Sequence, residues 1–378
     1  MKQPTPVNVA YVYPWDVVGD PSAPDRLAGL GVQAVALAAS YHSTRAATPY
    51  HPSHRVLDVP HPAFYLPVRP SAWSRLVPAA PTWTPEDAYL QASDALKAAG
   101  LQVHAWTVLT HNSHLGAANP DLVVRNAFGD PYPYALCPAH EDVIEYCERL
   151  VREILTVGEP DGLILEACGP MGFGHQSVHE KTSGADWTPA DADLLSLCFC
   201  SSCADRYPPT TRATVRAAID GDSGAVTIDQ ALGELADEVR AVRVQLSTSL
   251  RRHLIAVTRG ITSDLPITLH ANPDPWAAGA FAPLPSGEPE ADVLVANCWG
   301  DPATDATRLA HLKDLSTPGQ RIGAYVLALP PRPADAAVLA DQLSTYAKAG
   351  ASEFHLYHAG LASPQRLTAL SEALRQHA

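Results

Sequence analysis

The sequence predicts a single (β/α)8 TIM barrel, and two observations carry this prediction. Eight short apolar segments alternate with amphipathic helical segments along the 378 residues, and strands that are apolar throughout are typical of a parallel sheet covered by helices. A doubly wound sheet is the alternative, but the first strand is followed by YPWD at 13–16 and not by a glycine-rich phosphate-binding turn. We therefore expect one barrel domain over residues 1–378, with long insertions after strands two, three and four.

Each expected element follows from local patterning and from turn residues at its ends. The predicted strands are residues 7–13, 32–41, 101–109, 162–165, 266–270, 292–297, 321–329 and 352–357. The predicted helices are residues 21–30, 84–99, 141–156, 229–260 (one long helix or two abutting ones), 305–315, 333–350 and 363–377. The insertion after strand four covers residues 169–208 and holds three of the seven cysteines.

The excess of acidic residues argues against some classes of binding partner. The chain carries 26 Lys and Arg against 40 Asp and Glu, a formal charge of -14, which argues against a nucleic-acid-binding protein and against anionic membrane surfaces. No apolar run reaches the roughly 18 residues of a membrane helix, and the start shows no secretion signal. We expect a cytoplasmic protein with a small-molecule ligand, and a homo-oligomer is compatible with the loop insertions.

The residues that follow the predicted strands suggest the nature of that ligand. In this architecture the active site forms at the C-terminal ends of the strands, and here those ends carry carboxylates, amides, imidazoles and indoles. Such groups suit a neutral, hydroxyl-rich ligand such as a small carbohydrate or glycoside. The expected substrate-binding residues are Trp15, Asp16, His42, Arg45, His111, Asn112, Asn272, Trp299, Tyr357 and His358.

Glu166 is the main catalytic candidate. It directly follows the apolar strand GLIL, so its carboxylate should enter the barrel mouth, where a buried charge is costly unless it is paired or used. Glycoside hydrolysis needs a second carboxylate, for which Asp301 and Asp274 are the candidates and Asp16 a weaker third. The sequence thus favours a glycoside hydrolase. The alternatives are a non-catalytic carbohydrate-binding barrel and a metal-dependent hydrolase that uses the His-rich strand ends.

A cysteine cluster lies in the insertion after strand four. The motif C-x-C-x-x-C places Cys198, Cys200 and Cys203 within six residues, and thiolates at this density typically share a tetrahedral zinc ion. The fourth ligand would be Cys137, just before a predicted helix, or Cys168, beside Glu166. A site closed by four thiolates is structural, and this one would tie the insertion after strand four to the insertion after strand three.

This motif, shortly after a fourth-strand carboxylate and with Leu-Cys-Pro upstream of a helix, resembles the zinc-bearing barrels of the family 42 β-galactosidases and their uncharacterised glycosyl-hydrolase-like relatives. The resemblance covers residues 137–207. It implies that the zinc ligands are Cys137, Cys198, Cys200 and Cys203. It also places Glu166 where that family carries its acid/base glutamate.

Two departures change the roles that the resemblance implies. Leu165 precedes Glu166 where the family has Asn, and strand seven ends in Leu-Ala-Leu-Pro-Pro, with no carboxylate where the family has its nucleophile. We therefore expect Glu166 to act as nucleophile or base, with Asp301 or Asp274 as the general acid.

Overall fold

The computed structural model describes residues 7–174, 181–221 and 224–377. Eight parallel strands form a closed barrel in which each strand pairs with the next along the chain and the eighth pairs with the first. The barrel strands are β1 Val7–Val12, β2 Ala34–Tyr41, β3 Gln102–Val108, β4 Gly162–Glu166, β5 Ile267–Asn272, β6 Val293–Cys298, β7 Arg321–Leu327 and β8 Glu353–Tyr357. The predicted fold class is confirmed, because each of these strands overlaps a predicted one.

Helices cover the outside of the barrel. They are α1 Ala23–Ala28, α2 Ala88–Ala98, α3 Ser113–Ala118, α4 Glu141–Glu153, α5 Pro189–Leu195, α6 Thr211–Asp220, α7 Ile228–Leu232, α8 Ala236–Ile261, α9 Pro302–Asp314, α10 Ala336–Lys348 and α11 Pro364–His377. The long segment predicted at 229–260 is interrupted because Gly233 has a positive φ of 55°, which ends α7 before α8 begins. No helix in the described ranges is long and apolar enough to cross a membrane.

The loops after β2, β3 and β4 contain structure of their own. A hairpin of Thr44–Ala47 with Val56–Val59 follows β2. A second hairpin, Val123–Arg125 with Pro131–Leu136, follows β3 and α3. Helices α5, α6 and α7 follow β4. All of these elements therefore branch from the C-terminal ends of the strands, where the candidate site lies.

The interior of the barrel contains several polar side chains. Aromatic rings from different strands meet at its centre, where Tyr11 lies 4.9 Å from Trp106, 4.8 Å from Tyr325 and 5.9 Å from both His270 and His355 between ring centroids. These residues alternate along their strands with residues that face the helices, so they fill the barrel as a packed core. Because a buried polar group is destabilising without a partner, their hydrogen bonds must be accounted for.

Candidate functional site

Glu166 is the last residue of β4, and its carboxylate faces into the barrel. The indole Nε1 of Trp106 on β3 donates a hydrogen bond of 2.6 Å to its Oε2. His270 Nδ1 on β5 lies 3.1 Å from the same oxygen, an ion-pair approach that is not aligned as a straight hydrogen bond. Only 5% of Glu166 is exposed, so two neighbouring strands hold this carboxylate in a nearly water-free setting.

The surroundings of Glu166 favour its ionised form. Burial raises its pKa, but the close approach and the charge of His270, the N–H of Trp106 and the charge of His42 together outweigh burial and hold the pKa below its usual value. A carboxylate that is ionised at neutral pH can attack an electrophilic carbon or activate water. It cannot donate a proton, so a glycosidase that uses it needs a second group for that step.

Tyrosine side chains form the wall beside Glu166. Tyr13 and Tyr41 pack edge-on with ring centroids 4.8 Å apart, and Tyr357 is near enough to affect both; the pKa of each of the three is raised, first of all by burial. Tyr41 also packs edge-on against Trp106, with ring centroids 4.6 Å apart. At the rim, Trp299 lies 4.7 Å from Tyr357 and is 38% exposed. The mouth therefore offers hydroxyl groups and aromatic faces next to one carboxylate, a combination that suits a sugar ring.

Asp16 is a second buried acid near the mouth. Its Oδ2 accepts a hydrogen bond of 2.8 Å from the backbone N–H of Tyr13 and lies 4.0 Å from His358 Nδ1, while its Oδ1 has no partner among the described residues. Burial raises the pKa of Asp16 from 3.8 to about 7, although the Tyr13 N–H and the charge of Arg26 oppose this. Asp16 can therefore carry a proton near neutral pH.

His358 joins Asp16 to the wall of tyrosines. Its ring stacks on Tyr13 at 4.2 Å, and its centroid lies 6.2 Å from that of Trp106. Burial lowers the pKa of His358 to about 3, so the ring is neutral, and within the described residues neither ring nitrogen has a hydrogen-bond partner. A buried imidazole with two free nitrogens is suited to exchange protons with a ligand or with Asp16.

The two aspartates predicted as general acids are both exposed and engaged locally. Asp301 is the N-cap of α9, where its Oδ1 accepts hydrogen bonds from the backbone N–H groups of Ala303 and Thr304. The helix begins at Pro302, three residues earlier than predicted, because Asp followed by Pro is a strong helix start. Asp274 accepts a hydrogen bond from the backbone N–H of Trp276 in a turn after β5. Their role as acids stays a prediction.

Two predicted binding residues lie close together at the mouth. The rings of His42 and His111 stack with centroids 4.4 Å apart, and the charge of His42 reaches Glu166. Asn112 is buried and caps α3, because its side-chain oxygen accepts a hydrogen bond from the backbone N–H of Leu115. The imidazoles thus extend the wall of the mouth, while Asn112 organises the loop after β3.

The other predicted binding residues are spread more widely. Trp15 is buried behind the mouth, stacked on Tyr13 at 4.4 Å. Arg45 lies on the exposed hairpin after β2, where it pairs with Asp58 at 3.2 Å. Asn272 lines a cleft of about 330 Å³ beside the mouth, together with Phe281, Asn297, Trp299 and Arg308. The structure therefore brings Asn272 and Trp299 to one cleft and places Arg45 apart from Glu166.

Sequence reasoning missed the residues that act on Glu166 from inside the barrel. Tyr11 precedes the end of its strand, and His270 is the last residue of the predicted strand five, yet neither is among the site residues expected from the sequence. The signal was present, because polar residues at alternating positions of a strand that is otherwise apolar mark a face with its own partners. Trp106 on β3 is likewise absent from the expected site residues, although its indole donates the hydrogen bond to Glu166.

Four buried cysteines form a compact cluster beside the barrel. The Sγ atoms of Cys137, Cys198, Cys200 and Cys203 all lie within 4.8 Å of one another. From Cys137, the other sulfurs are 3.7, 3.8 and 3.5 Å away, respectively. Four sulfurs about 2.3 Å from a central zinc ion would be about 3.8 Å apart, so this donor set fits a tetrahedral soft metal. Cys168 does not belong to the cluster.

Comparisons with solved structures identify the fold. No protein-family model and no curated protein sequence matches the chain. The catalytic domain of β-amylase from Paenibacillus polymyxa is 13% identical with a TM-score of 0.58, and 99% of each chain is covered. A family GH42 β-galactosidase from G. stearothermophilus is 11% identical with a TM-score of 0.55, covering 99% of this chain and 57% of that one. An α-L-fucosidase from Paenibacillus thiaminolyticus is 11% identical with a TM-score of 0.52, covering 98% and 49%.

These likenesses show a barrel fold that is shared with glycoside hydrolases, including the GH42 β-galactosidases. The chain spans 57% of the GH42 galactosidase and 49% of the fucosidase. At 11–13% identity the comparison concerns the fold, so the chemistry must be argued from the residues described above.

Proposed function

We propose that the chain is a glycoside hydrolase that cleaves a small glycoside, with Glu166 as its ionised catalytic carboxylate. One observation supports this more than any other. A carboxylate with a lowered pKa lies at the end of β4, inside a barrel mouth lined by tyrosine hydroxyls and indole rings. In a buried site such a group can stabilise the positive charge that develops on the sugar, either as nucleophile or as base.

The acid in this proposal is Asp16, acting with His358. Two titratable groups whose environments move their pKa values in opposite directions are a typical acid and base pair, and here the pKa of Asp16 rises to about 7 while that of Glu166 falls. His358 lies 4.0 Å from Asp16 and stacks on Tyr13. Because burial keeps its ring neutral, one ring nitrogen would accept the proton of Asp16 as the other nitrogen gives its own proton to the leaving group, with no free imidazolium formed. Asp301 and Asp274 are the alternative acids.

Zinc in this proposal is structural. The four sulfurs leave no open coordination position, so metal bonds would tie Cys137 on the loop before α4 to the loop after α5, beside the contact of 3.0 Å between His140 and Ser202. Within the described parts of the chain, this cluster is the only group of three or more potential metal ligands. A hydrolase that uses a metal held by the His-rich strand ends has no comparable support.

A screen of aryl glycosides tests the function. The native chain should release aryl alcohol from at least one of them, and Glu166→Gln should lose a factor of roughly 10³ or more in kcat/KM. Thermal unfolding of both proteins serves as the control, since Gln keeps the hydrogen bond from Trp106. If Glu166→Gln and the native chain are equally inactive but bind a sugar equally well, the non-catalytic carbohydrate-binding barrel is the correct function.

Three matched variants identify the acid. Asp16→Asn should lose most of the activity toward glycosides with poor leaving groups and much less toward those with good ones, because only a poor leaving group needs a proton. Asp301→Asn and Asp274→Asn should behave like the native chain, since Asn keeps the local backbone hydrogen bonds. If one of these two variants loses activity mainly toward poor leaving groups and Asp16→Asn does not, the residue replaced in that variant is the general acid instead of Asp16.

A further inference from the structure

Below Glu166, a continuous series of polar contacts runs through the barrel toward its opposite end. His270 Nδ1 lies 3.1 Å from Glu166. On the other side of the same ring, Nε2 lies 2.8 Å from the hydroxyl of Tyr11, and that hydroxyl lies 3.1 Å from His355 Nδ1. His355 Nε2 lies 3.2 Å from Glu353 Oε2. These five side chains come from β1, β4, β5 and β8 and are all buried.

Arg321 fixes the charge at the far end of this series. Its guanidinium forms an ion pair with Glu353 Oε1, and a guanidinium can only donate. Glu353 is therefore held as a carboxylate, and its second oxygen, Oε2, can only accept. His355 Nε2 must then carry a hydrogen in order to face that oxygen.

The proton positions along the rest of the series follow in turn. Burial lowers the pKa of His355, so its ring is neutral, and a neutral imidazole that carries its hydrogen on Nε2 presents a lone pair on Nδ1. Tyr11 must donate to that lone pair, which leaves the tyrosine oxygen to accept from His270. His270 Nε2 therefore carries a hydrogen.

The direction of these hydrogen bonds also determines whether the nitrogen of His270 that faces Glu166 carries a hydrogen. With its Nε2 already protonated, a neutral His270 would aim the lone pair of Nδ1 at the carboxylate, and two acceptors at 3.1 Å repel each other. The contact is attractive only if Nδ1 also carries a hydrogen, which makes it an ion-pair approach of an imidazolium to an ionised Glu166. The other groups packed against the His270 ring are Phe281 at 4.5 Å and Tyr325 at 4.9 Å, and neither is charged at neutral pH.

We propose that Glu353, at the opposite end of the barrel from the mouth, is a positioning residue that sets the proton position on His270 and thereby the charge of Glu166. Its catalytic consequence rests on the proposed function of Glu166, but the direction of the hydrogen bonds does not. Tyr11 and His355 link Glu353 to His270, because each donates one hydrogen bond and accepts another. The acceptor role of Glu353 therefore determines which nitrogen of His270 carries a hydrogen.

Glu353→Gln is the sharpest test, because it should reverse the direction. Arg321 keeps the amide oxygen of Gln, so the NH2 group turns toward His355 and donates to Nε2. His355 must then donate from Nδ1 to Tyr11, and Tyr11 must donate to His270 Nε2. ¹⁵N NMR of the histidine rings distinguishes the two tautomers. Native His270 should carry a hydrogen on Nε2. In Glu353→Gln, neutral His270 should carry it on Nδ1.

Tyr11→Phe is the second variant and guards against misfolding of the first. It removes the acceptor of His270 Nε2, so neutral His270 should again carry its hydrogen on Nδ1, where Glu166 accepts it. Tyr346→Phe is the matched control, since this buried hydroxyl bonds to Gln342 on α10 and to Asp305 on α9. It should leave the native tautomer unchanged. A native His270 that is hydrogenated only on Nδ1, or a tautomer unaffected in both Glu353→Gln and Tyr11→Phe, would overturn the proposal.

The kinetic readout separates this proposal from the proposed function. In an active enzyme, Glu353→Gln should lower kcat and leave KM nearly unchanged, because it alters the charge of Glu166 and not the contacts to the sugar. If the tautomer changes as expected but the native chain hydrolyses no glycoside, the positioning role of Glu353 is supported and the glycosidase function is wrong. If glycosides are hydrolysed and the tautomer does not change, the positioning role of Glu353 is wrong and the glycosidase function is unaffected.

Discussion

Replacement of Asp16 by Asn should make the protein more stable at alkaline pH. The carboxylate of Asp16 is buried, and burial raises its pKa from 3.8 to about 7. As the pH rises, the unfolded chain therefore gives up this proton first, and the folded state loses stability between about pH 4 and pH 7. Each pKa unit corresponds to about 1.36 kcal/mol, so the full effect is about 4 kcal/mol.

The measurable part of this effect lies between pH 5 and pH 8. Over that interval the native chain should lose about 2.5 kcal/mol of unfolding free energy relative to Asp16→Asn. Asn keeps an oxygen for the backbone N–H of Tyr13, so the hydrogen bond seen at 2.8 Å survives. Urea unfolding of both proteins at several pH values gives the difference directly, and all groups that they share cancel.

Asp301→Asn is the matched control for this experiment. Asp301 is exposed and caps α9, and Asn caps a helix about as well as Asp. Its stability difference from the native chain should therefore be small and nearly independent of pH. If the Asp16→Asn difference is equally flat from pH 5 to pH 8, the carboxyl group is not a raised-pKa acid, and its proposed role as proton donor falls with it.

Three further changes test the metal site, a buried ion pair and the packing inside the barrel. Cys137→Ser should reduce tightly bound zinc from about one ion per chain to well below one, measured by elemental analysis after gel filtration, with a lower thermal midpoint. Arg251→Met should destabilise the protein by up to about 3–5 kcal/mol in urea unfolding, because it removes the buried partner of Glu288 at 3.0 Å and leaves only the largely exposed Arg252 at 3.3 Å. Gly323→Ala should also be destabilising, because its Cβ would lie 2.9 Å from the His355 ring, whereas an unchanged midpoint would show that the barrel interior can yield.

The order of strands and helices could be predicted because it depends on local pattern. Apolar segments such as GLIL before Glu166 can only be buried strands when helical segments alternate with them. The cysteine cluster was predictable for a similar reason, since three thiols within six residues need a common partner. The choice between Cys137 and Cys168 as the fourth member required the fold, because both lie near predicted strand or helix ends.

The chemistry around Glu166 could not be read from strand ends alone. Tyr11, His270 and His355 lie far apart in the sequence and meet only when β1, β5 and β8 close into a barrel with one particular register. Local signals also had two meanings: Asp301 follows β6 as a catalytic acid would, yet Asp before Pro also starts a helix. Position at a strand end identifies candidate residues. Only their side-chain partners in the structure distinguish a residue that faces the mouth from one that stabilises a loop.

The most direct test of the central claim is rescue of Glu166→Ala by azide. If Glu166 is the ionised carboxylate that acts on the sugar, Glu166→Ala should be nearly inactive toward an aryl glycoside with a good leaving group. Added azide should then restore turnover and appear in the product as a glycosyl azide, whereas the native chain should form none. Full activity of Glu166→Ala without azide would contradict the account.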